Sequence, residues 1–470
     1  MWVSVFMWVF CVFVFNMRVV VKFGGSLLRG GSDFLRIGRE VCRLLSEGLE
    51  VVVVVSAVKG VTDMLEVLSR PVDRWQDMVL QLRELHEKII RELGLSSTLE
   101  KEVIAKVNSL FEELYRTVEA INVLKETSPR IRDLVLSFGE RLSVILMWAA
   151  LTKLGVECIH LTGREAGIIT NERYGEAKPI YDLSRKMVNE NLLKYLKNGI
   201  TPVVTGFIAG TIDGKITTLG RGGSDYTATL LAYLIDADEV ILYTDVPGIM
   251  TGDPKFVKNA RVVPELSYEE AIMSAQLGAK RLHPRTFEPV RDTDIRTVIT
   301  SIGASERTII QRELKDPPLK MTAVSTGDVL LRARVPEETF HDFLMELSLG
   351  LSKLGIEDVR YMTYSDYESQ LYIIVRGRAL DHTLKLISGL QSKRLIEEAK
   401  MYKDIAIVSV IGHGSRDPSL LAPYLEKLKD TPTLATIQMK NAFAVVVPSD
   451  KAATVMYRFH EELLKQWEKR

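Results

Sequence analysis

Short, unbroken runs of β-branched residues alternate along this chain with longer stretches whose apolar side chains recur at every third or fourth position. The first pattern predicts buried strands and the second amphipathic helices. Runs at 18–22 and 50–58 (EVVVVVSAV) flank a helical stretch near 33–48, the βαβ signature of a parallel sheet covered on both faces. Residues 73–127 are charged, helical in period and poor in strand formers, which predicts an insertion packed on the flank of the sheet. A helix is expected near 138–154, then strands at 156–161 (VECIHL) and 200–210 (ITPVVTGFIAG). A hairpin is expected at 211–219, with Asp213-Gly214 at its turn. Residues 224–237 predict a helix opening on Ser/Asp cap chemistry, and 239–246 a further strand.

The pattern changes at KDPPLK (315–320), where Pro317-Pro318 can neither continue a helix nor pair in a central strand. Beyond this linker come strands at GDVLLRARV (327–335), DVRYMTY (358–364) and SQLYIIV (369–375), with helices near 336–354 and 379–398. A second such series starts at DIAIVSVIG (404–412), with helices near 417–429 and 450–468. The fold class expected is therefore α/β: a three-layer sandwich about a mostly parallel sheet over 17–314, then two ferredoxin-like βαββα units. The first of these, with the linker, spans 315–402, and the second 403–470.

Composition narrows the function. The chain has 470 residues, enough for several cores, and 61 basic against 61 acidic residues give no global field to draw nucleic acid or anionic lipid. Three scattered cysteines (Cys11, Cys42, Cys158) suggest neither a disulfide framework nor a metal knuckle, which fits a reducing cytoplasm. Residues 1–16 are almost wholly apolar, yet too short for a membrane span and without the basic start and cleavage site of a signal peptide. Met17 stands directly before the first strand, so it is expected to be the natural start, with 1–16 an upstream extension.

The common nucleotide and hydrolase motifs are absent. No G-x-x-x-x-G-K-[ST] loop, no G-x-S-x-G elbow and no paired histidine at metal-ligand spacing occurs, and no G-x-G-x-x-G follows the first strand. What remains are loops rich in Gly, Ser, Asp, Lys and Arg at the expected carboxyl ends of strands, where open α/β sheets bind ligands. They are KFGGS (22–26), SAVKGVTD (56–63), SFGER (137–141), GRGGSD (220–225), TDVPGIMTGDPK (244–255) and GAKRLHP (278–284). In the first, glycine amides beside the Lys22 ammonium suit a phosphate, although a plain glycine turn with a solvated lysine fits that stretch alone.

Taken in order, KFGGS, SFGER, TTLGRGGSDYTA (217–228), YTDVPGIMTGDP (243–254) and GAKRLHPRT (278–286) resemble the aspartate kinases of the amino acid kinase fold, over most of 17–312. The tandem C-terminal units resemble the ACT domains with which that family senses amino acids. The resemblance implies transfer of the ATP γ-phosphoryl group, with Mg²⁺, to the side-chain carboxylate of L-aspartate. It assigns catalysis to Lys22, with Asp225 orienting it, and substrate contacts to Ser56, Thr62, Glu140, Arg221 and Ser224. The nucleotide falls to Lys22, Gly24, Gly25, Ser26, Thr244, Asp245, Gly248, Met250, Lys255, Lys280 and Arg281, with no resident metal ligands. Met250 stands where many relatives carry tyrosine, and Lys255 where many carry arginine. No general base is needed, because a carboxylic acid of pKa about 3.9 is already ionised at neutral pH.

In the C-terminal units, the strand-to-helix junction of the first (RARVPEETFHDF, 332–343) lacks glycine. That of the second (VIGHGSRDPSLL, 410–421) has Gly412 and Gly414 and is the better equipped to meet an amino-acid effector through its backbone. Pairing of subunits into a homo-oligomer through these units is the other expectation. The rival readings are another carboxylate or UMP kinase of this fold, or a sensor that has kept the fold without catalysis.

Overall fold

The computed structural model describes residues 17–279, 283–312, 317–351, 359–365, 370–376 and 380–468. The apolar extension 1–16, with Lys280 and Arg281, lies outside them. In chain order the first elements are β1 (Arg18–Phe23), α1 (Gly31–Ser46), β2 (Glu50–Val55), α2 (Val61–Leu68), α3 (Trp75–Leu93), α4 (Ser97–Leu124) and α5 (Pro129–Lys153). Then come β3 (Cys158–Leu161), α6 (Gly163–Ala166), α7 (Tyr181–Asn191), α8 (Leu193–Lys197), β4 (Thr201–Thr205), β5 (Ile208–Gly210), β6 (Ile216–Thr218), α9 (Gly223–Leu234) and β7 (Glu239–Tyr243). They are followed by β8 (Glu265–Ser267), α10 (Tyr268–Gln276), β9 (Arg296–Thr300), β10 (Thr308–Gln311), β11 (Met321–Arg334), α11 (Phe340–Leu351), β12 (Val359–Ser365) and β13 (Gln370–Arg376). The chain closes with α12 (Leu380–Ser392), β14 (Ala399–Ile411), α13 (Pro418–Glu426), β15 (Ala435–Gln438), β16 (Ala442–Pro448) and α14 (Ala452–Glu468).

Two compact units divide the chain: one holds everything up to Pro247 together with Thr286–Ile309, the other Gly248–Arg285 with Ile310–Arg470. This division groups residues 248–279 with the C-terminal unit, whereas the sequence grouped them with 17–247.

In the first unit, six parallel strands run in the order β3-β4-β2-β1-β7-β9. Both faces are covered, so the valine runs need no polar side. Val51 to Val55 are all essentially inaccessible, each such burial contributing roughly 1.5–3 kcal/mol. Val19, Val21 and Phe23 of β1 enter a core shared with α1, α3, α4 and α5. By the two-residue period of a strand, Val20 and Lys22 point to the opposite face, where α9 packs on β1. The expected insertion is the helix pair α3–α4, seated on α1 and α5 as an outer layer.

Three local readings change. The helix expected from 138 begins at Pro129, capped by the Ser128 hydroxyl, which accepts from the Ile131 N–H (3.3 Å). Its buried polar residues Asp133, Ser137 and Glu140 hid its first turns from a hydrophobic-period reading. Among the described residues it alone is long and apolar enough to cross a membrane, yet 83% of its apolar window is buried in the unit. The strand expected at 200–210 breaks into β4 and β5 at Gly206-Phe207, with Phe207 at φ 63°. Finally, α9 takes Gly222 as its N-cap (φ 71°), not Ser224 or Asp225, which sit in its first turn.

In the second unit, β12-β13-β11-β14-β16-β15 form one antiparallel sheet. The two βαββα repeats follow one another as expected, but they share a strand. β11 begins at Met321, six residues earlier than expected, and serves both. Its first half contributes Val324 to a core with Val408, Val410 and Phe443. Its second half contributes Val329, Leu331 and Ala333 to a core with Leu371, Ile373 and Val375. Gly327 (φ 82°) lies at the irregularity between the halves. The glycine junction of the second repeat is also used differently from expectation. A Cβ on Gly412 would lie 2.1 Å from the Pro318 carbonyl oxygen, and the Gly414 N–H donates to that same oxygen (2.9 Å). The glycines admit the chain's own linker.

Candidate active site

Because the strands of the first unit are parallel, the loops after Phe23, Val55, Thr205 and Tyr243 leave the same edge of the sheet. β1 lies between β2 and β7, with Lys22 level with Val54 and Leu242. Its side chain lies on the α9 face, and its Nζ is 2.5 Å from Asp225 Oδ1 in the first turn of α9. Both side chains are largely buried, 10% and 16% exposed, so the pair interacts at lower dielectric than a surface bridge, and removing either member strands the other. Asp225 is thus engaged by Lys22 over a long sequence distance, while the glycine before the helix handles the cap.

The two glycines after β1 have distinct steric reasons. A Cβ on Gly24 would come within 3.2 Å of Lys22 Nζ and 4.0 Å of Ser26 Oγ, so the ammonium lies over the bare backbone of the loop. A Cβ on Gly25 would stand 2.9 Å from the Ala57 carbonyl, where the loops after β1 and β2 touch. The Ser56 N–H donates to Phe23 O (3.3 Å) and the Lys59 N–H to Leu28 O (2.8 Å), joining those loops further. Ser56 is half-buried; Thr62 is exposed at the start of α2.

Glu140 projects from the middle of α5 and is only 4% exposed. The helix approaches closely because residue 139 is glycine: a Cβ there would be 2.8 Å from the Ala57 Cβ. Burial pushes the Glu140 carboxyl up to about 8, against the opposing pull of the Ala57 N–H and the Lys22 charge. Its Oε2 is buried without a hydrogen-bond partner among the described residues. A buried polar oxygen left unmet is costly.

Arg221 is exposed and makes no ion pair among the described residues. It stands between Gly220 (φ 80°) and Gly222 (φ 71°), in a turn that follows β6 and leads into α9. Ser224 lies against Gly206, where a Cβ would be 2.6 Å from the Ser224 Cβ. Phe207, beside it, was missed by the sequence reading. Its left-handed backbone is held by the Thr227 hydroxyl accepting its N–H (2.9 Å), and non-glycine residues in that region gather at functional sites. On the far side of β1, Phe23 stacks on Tyr243 (centroids 4.7 Å apart), whose hydroxyl donates to Glu40 of α1 (2.7 Å). Thr244 follows directly, its hydroxyl bonded to Val246. Asp245 lies next to it in the same loop.

Gly248, Met250 and Lys255 belong to the second unit. Met250 is half-buried and bridges to Val262, Gly248 is buried, and Lys255 is exposed with its N–H on Asp253 Oδ1 (2.9 Å). This loop is fastened inside its unit: Thr251 Oγ1 lies 2.8 Å from His460 Nε2 of α14, and Thr251 O accepts from the Thr322 N–H of β11 (2.8 Å). The structure thus gathers Lys22, Gly24, Gly25, Ser26, Ser56, Thr62, Glu140, Arg221, Ser224, Asp225, Thr244 and Asp245 in one unit.

The family model for the amino acid kinase family matches residues 17–301. The aspartokinase of Geobacillus stearothermophilus is 32% identical over 324 residues, covering 67% of this chain and 77% of its own length. The lysine-sensitive aspartokinase 3 of Escherichia coli is 29% identical over 469 residues, covering 95% and 99%. The crystal structure of E. coli aspartokinase III with aspartate and ADP superposes with a TM-score of 0.80 at 27% identity, over 95% of this chain and 99% of that one. Its complex with lysine and aspartate gives 0.76.

Proposed function

We infer the reaction from kinship: the chain belongs to the amino acid kinase family and, within it, to the aspartokinases. It is a kinase that transfers the γ-phosphoryl group of ATP to the side-chain carboxylate of L-aspartate. The product, 4-phospho-L-aspartate, opens the route to lysine, threonine and methionine.

The chemistry explains the residues. An anionic nucleophile must approach a polyanion in line, so the site has to neutralise charge and fix geometry. We assign Lys22 to the transferring phosphoryl group, with the amides of Gly24, Gly25 and Ser26 as its cradle and Asp225 holding the ammonium in place. The substrate carboxylate arrives ionised, and the site needs no base. Arg221 takes the α-carboxylate through its planar fork. Glu140 takes the ammonium, assisted by Ser56, Thr62 and Ser224. Thr244, Asp245, Gly248, Met250, Lys255, Lys280 and Arg281 are assigned to the nucleotide. Among the described residues no group of three or more His, Cys, Asp or Glu is placed to hold a metal ion. Magnesium would enter on the ATP phosphates and keep its waters, as suits a cation that dehydrates reluctantly.

The observation that carries this reading is the Lys22 ammonium lying over the Gly24 backbone at the carboxyl end of β1, paired with Asp225. We further propose a cytoplasmic homo-oligomer, paired through the C-terminal sheet and answering to an amino-acid effector there. Because the Gly412–Gly414 turn is filled by Pro318, the effector would bind elsewhere on that sheet.

The pH dependence of aspartate use tests the assignment of Glu140. Below about 8 the carboxyl is neutral in the free protein, and above it ionised, so kcat/KM for L-aspartate should climb as pH rises through that value. The rate is read as acyl phosphate trapped with hydroxylamine. In Glu140→Gln that limb disappears, and kcat/KM falls furthest below wild type above pH about 8, where the wild-type carboxyl is ionised. Folded Glu140 also holds its proton above the ordinary 4.5. Unliganded stability is therefore lost as pH rises from about 4.5 towards 8, and the Gln variant should melt higher than wild type at pH 8. A rising limb that survives in Glu140→Gln would refute the role.

A further inference from the structure

α5 carries a second buried carboxylate. Asp133 lies seven residues before Glu140, two helical turns away on the same face, and is fully inaccessible. Its Oδ2 accepts from the Gly175 N–H and the Thr218 N–H, each at 2.9 Å, and its Oδ1 from the Thr218 hydroxyl at 2.9 Å. Thr218 ends β6, three residues before Arg221. The intervening Leu219 donates its N–H to Phe207 O (2.9 Å). The neighbouring Arg132 grips Glu66 of α2 with two nitrogens (3.1 and 2.7 Å), and α2 carries Thr62. One turn of one helix is therefore bonded to the segments that present Arg221 and Thr62, while the same helix presents Glu140.

A fully buried carboxylate is a costly way to join a helix to a hairpin, and apolar packing does as well or better for stability. What three fixed donors give instead is a defined position. That matters here because the turn bearing Arg221 is exposed and flanked by two glycines. A mobile guanidinium would have to be ordered at the expense of binding energy. We propose that Asp133 is a positioning residue for substrate recognition: by clamping the end of β6 to α5, it sets the distance between the Arg221 guanidinium and the Glu140 carboxyl. That distance must match the α-carboxylate and ammonium that share one carbon of the amino acid. The proposal rests on the substrate roles given to Arg221 and Glu140 above.

Asp133→Asn keeps the shape but turns an N–H₂ towards N–H donors. The KM for L-aspartate should rise about tenfold, the size of one lost charge-assisted bond, while kcat and the KM for ATP stay within about twofold. Thr218→Val, which removes only the hydroxyl bond, should shift the same constant in the same direction by less, and it decides the matter if Asp133→Asn does not fold. A purely structural Asp133 would lower the melting temperature and the active fraction with the aspartate KM unchanged, and that result overturns the proposal. Arg221→Ala is the control. If it leaves the aspartate KM unaltered, the substrate-site reading itself fails; if it raises KM while both other variants do not, only the Asp133 inference fails.

Discussion

Lys22→Ala turns over on the order of 10²–10³-fold more slowly than wild type, a loss of about 3–4 kcal/mol of transition-state stabilisation, with the KM for L-aspartate little changed. The asymmetry follows from where the ammonium lies. It sits at the end of β1 over the Gly24 backbone and against Asp225, the place proposed above for the transferring phosphoryl group. Removing it also leaves Asp225 without its partner, so some stability is lost as well. Lys22→Met, which keeps most of the aliphatic stem, separates the two effects: its kcat should fall as far, with a smaller change in melting temperature. Initial rates of hydroxamate formation, taken over a matrix of ATP and aspartate concentrations, provide the numbers. A Lys22→Ala enzyme with wild-type kcat and a raised aspartate KM would reverse the assignment.

The second large effect is the opposite split. Arg221→Ala should raise the KM for L-aspartate on the order of 10²-fold, as expected for two charge-assisted bonds worth about 3 kcal/mol together in an open site. The kcat at saturation and the melting temperature should hold. Arg221 is exposed and makes no ion pair among the described residues, so the fold should tolerate its removal. Lysine in its place should recover little, since a point charge cannot reproduce the planar fork. An unchanged aspartate KM, measured in the same rate matrix, would remove Arg221 from the substrate site.

How much of this could be read from residue order varies with the range of the interaction. The β1 strand and its lysine were legible because an unbroken valine run ending in Lys-Phe-Gly-Gly is a local signal. Asp225 was only half legible. Its place in a helix-opening motif pointed to a cap, a post that Gly222 fills; only the family resemblance tied it to Lys22, some two hundred residues away in the chain, which it faces. Asp133 was passed over because it lies before the helix expected from 138, in turns that the sequence pattern did not show as helical. Its spacing of seven from Glu140 was the available clue that both lie on one buried face. The shared β11 is a different kind of miss. Gly327 looks like a strand start, yet it marks an irregularity inside one long strand whose halves enter two cores. Nothing local distinguishes Met321–Thr326 from linker, because the partner that makes it a strand is Ala406–Ile411. The Gly412–Gly414 turn teaches the same lesson: glycine announces a close approach, but not by whom, and here the visitor is Pro318.

The central claim is that two repelling anions are brought together by fixed positive charge and main-chain N–H groups at the carboxyl end of β1, with no proton shuttle. A crystal structure of this protein with L-aspartate and ADP addresses it most directly. The account predicts the substrate's side-chain carboxylate directed at the space in front of Lys22 Nζ, its ammonium on Glu140 Oε2 and its α-carboxylate on the Arg221 fork. Aspartate bound away from the end of β1, or a histidine or carboxylate interposed between the reacting oxygen and Lys22, would contradict it.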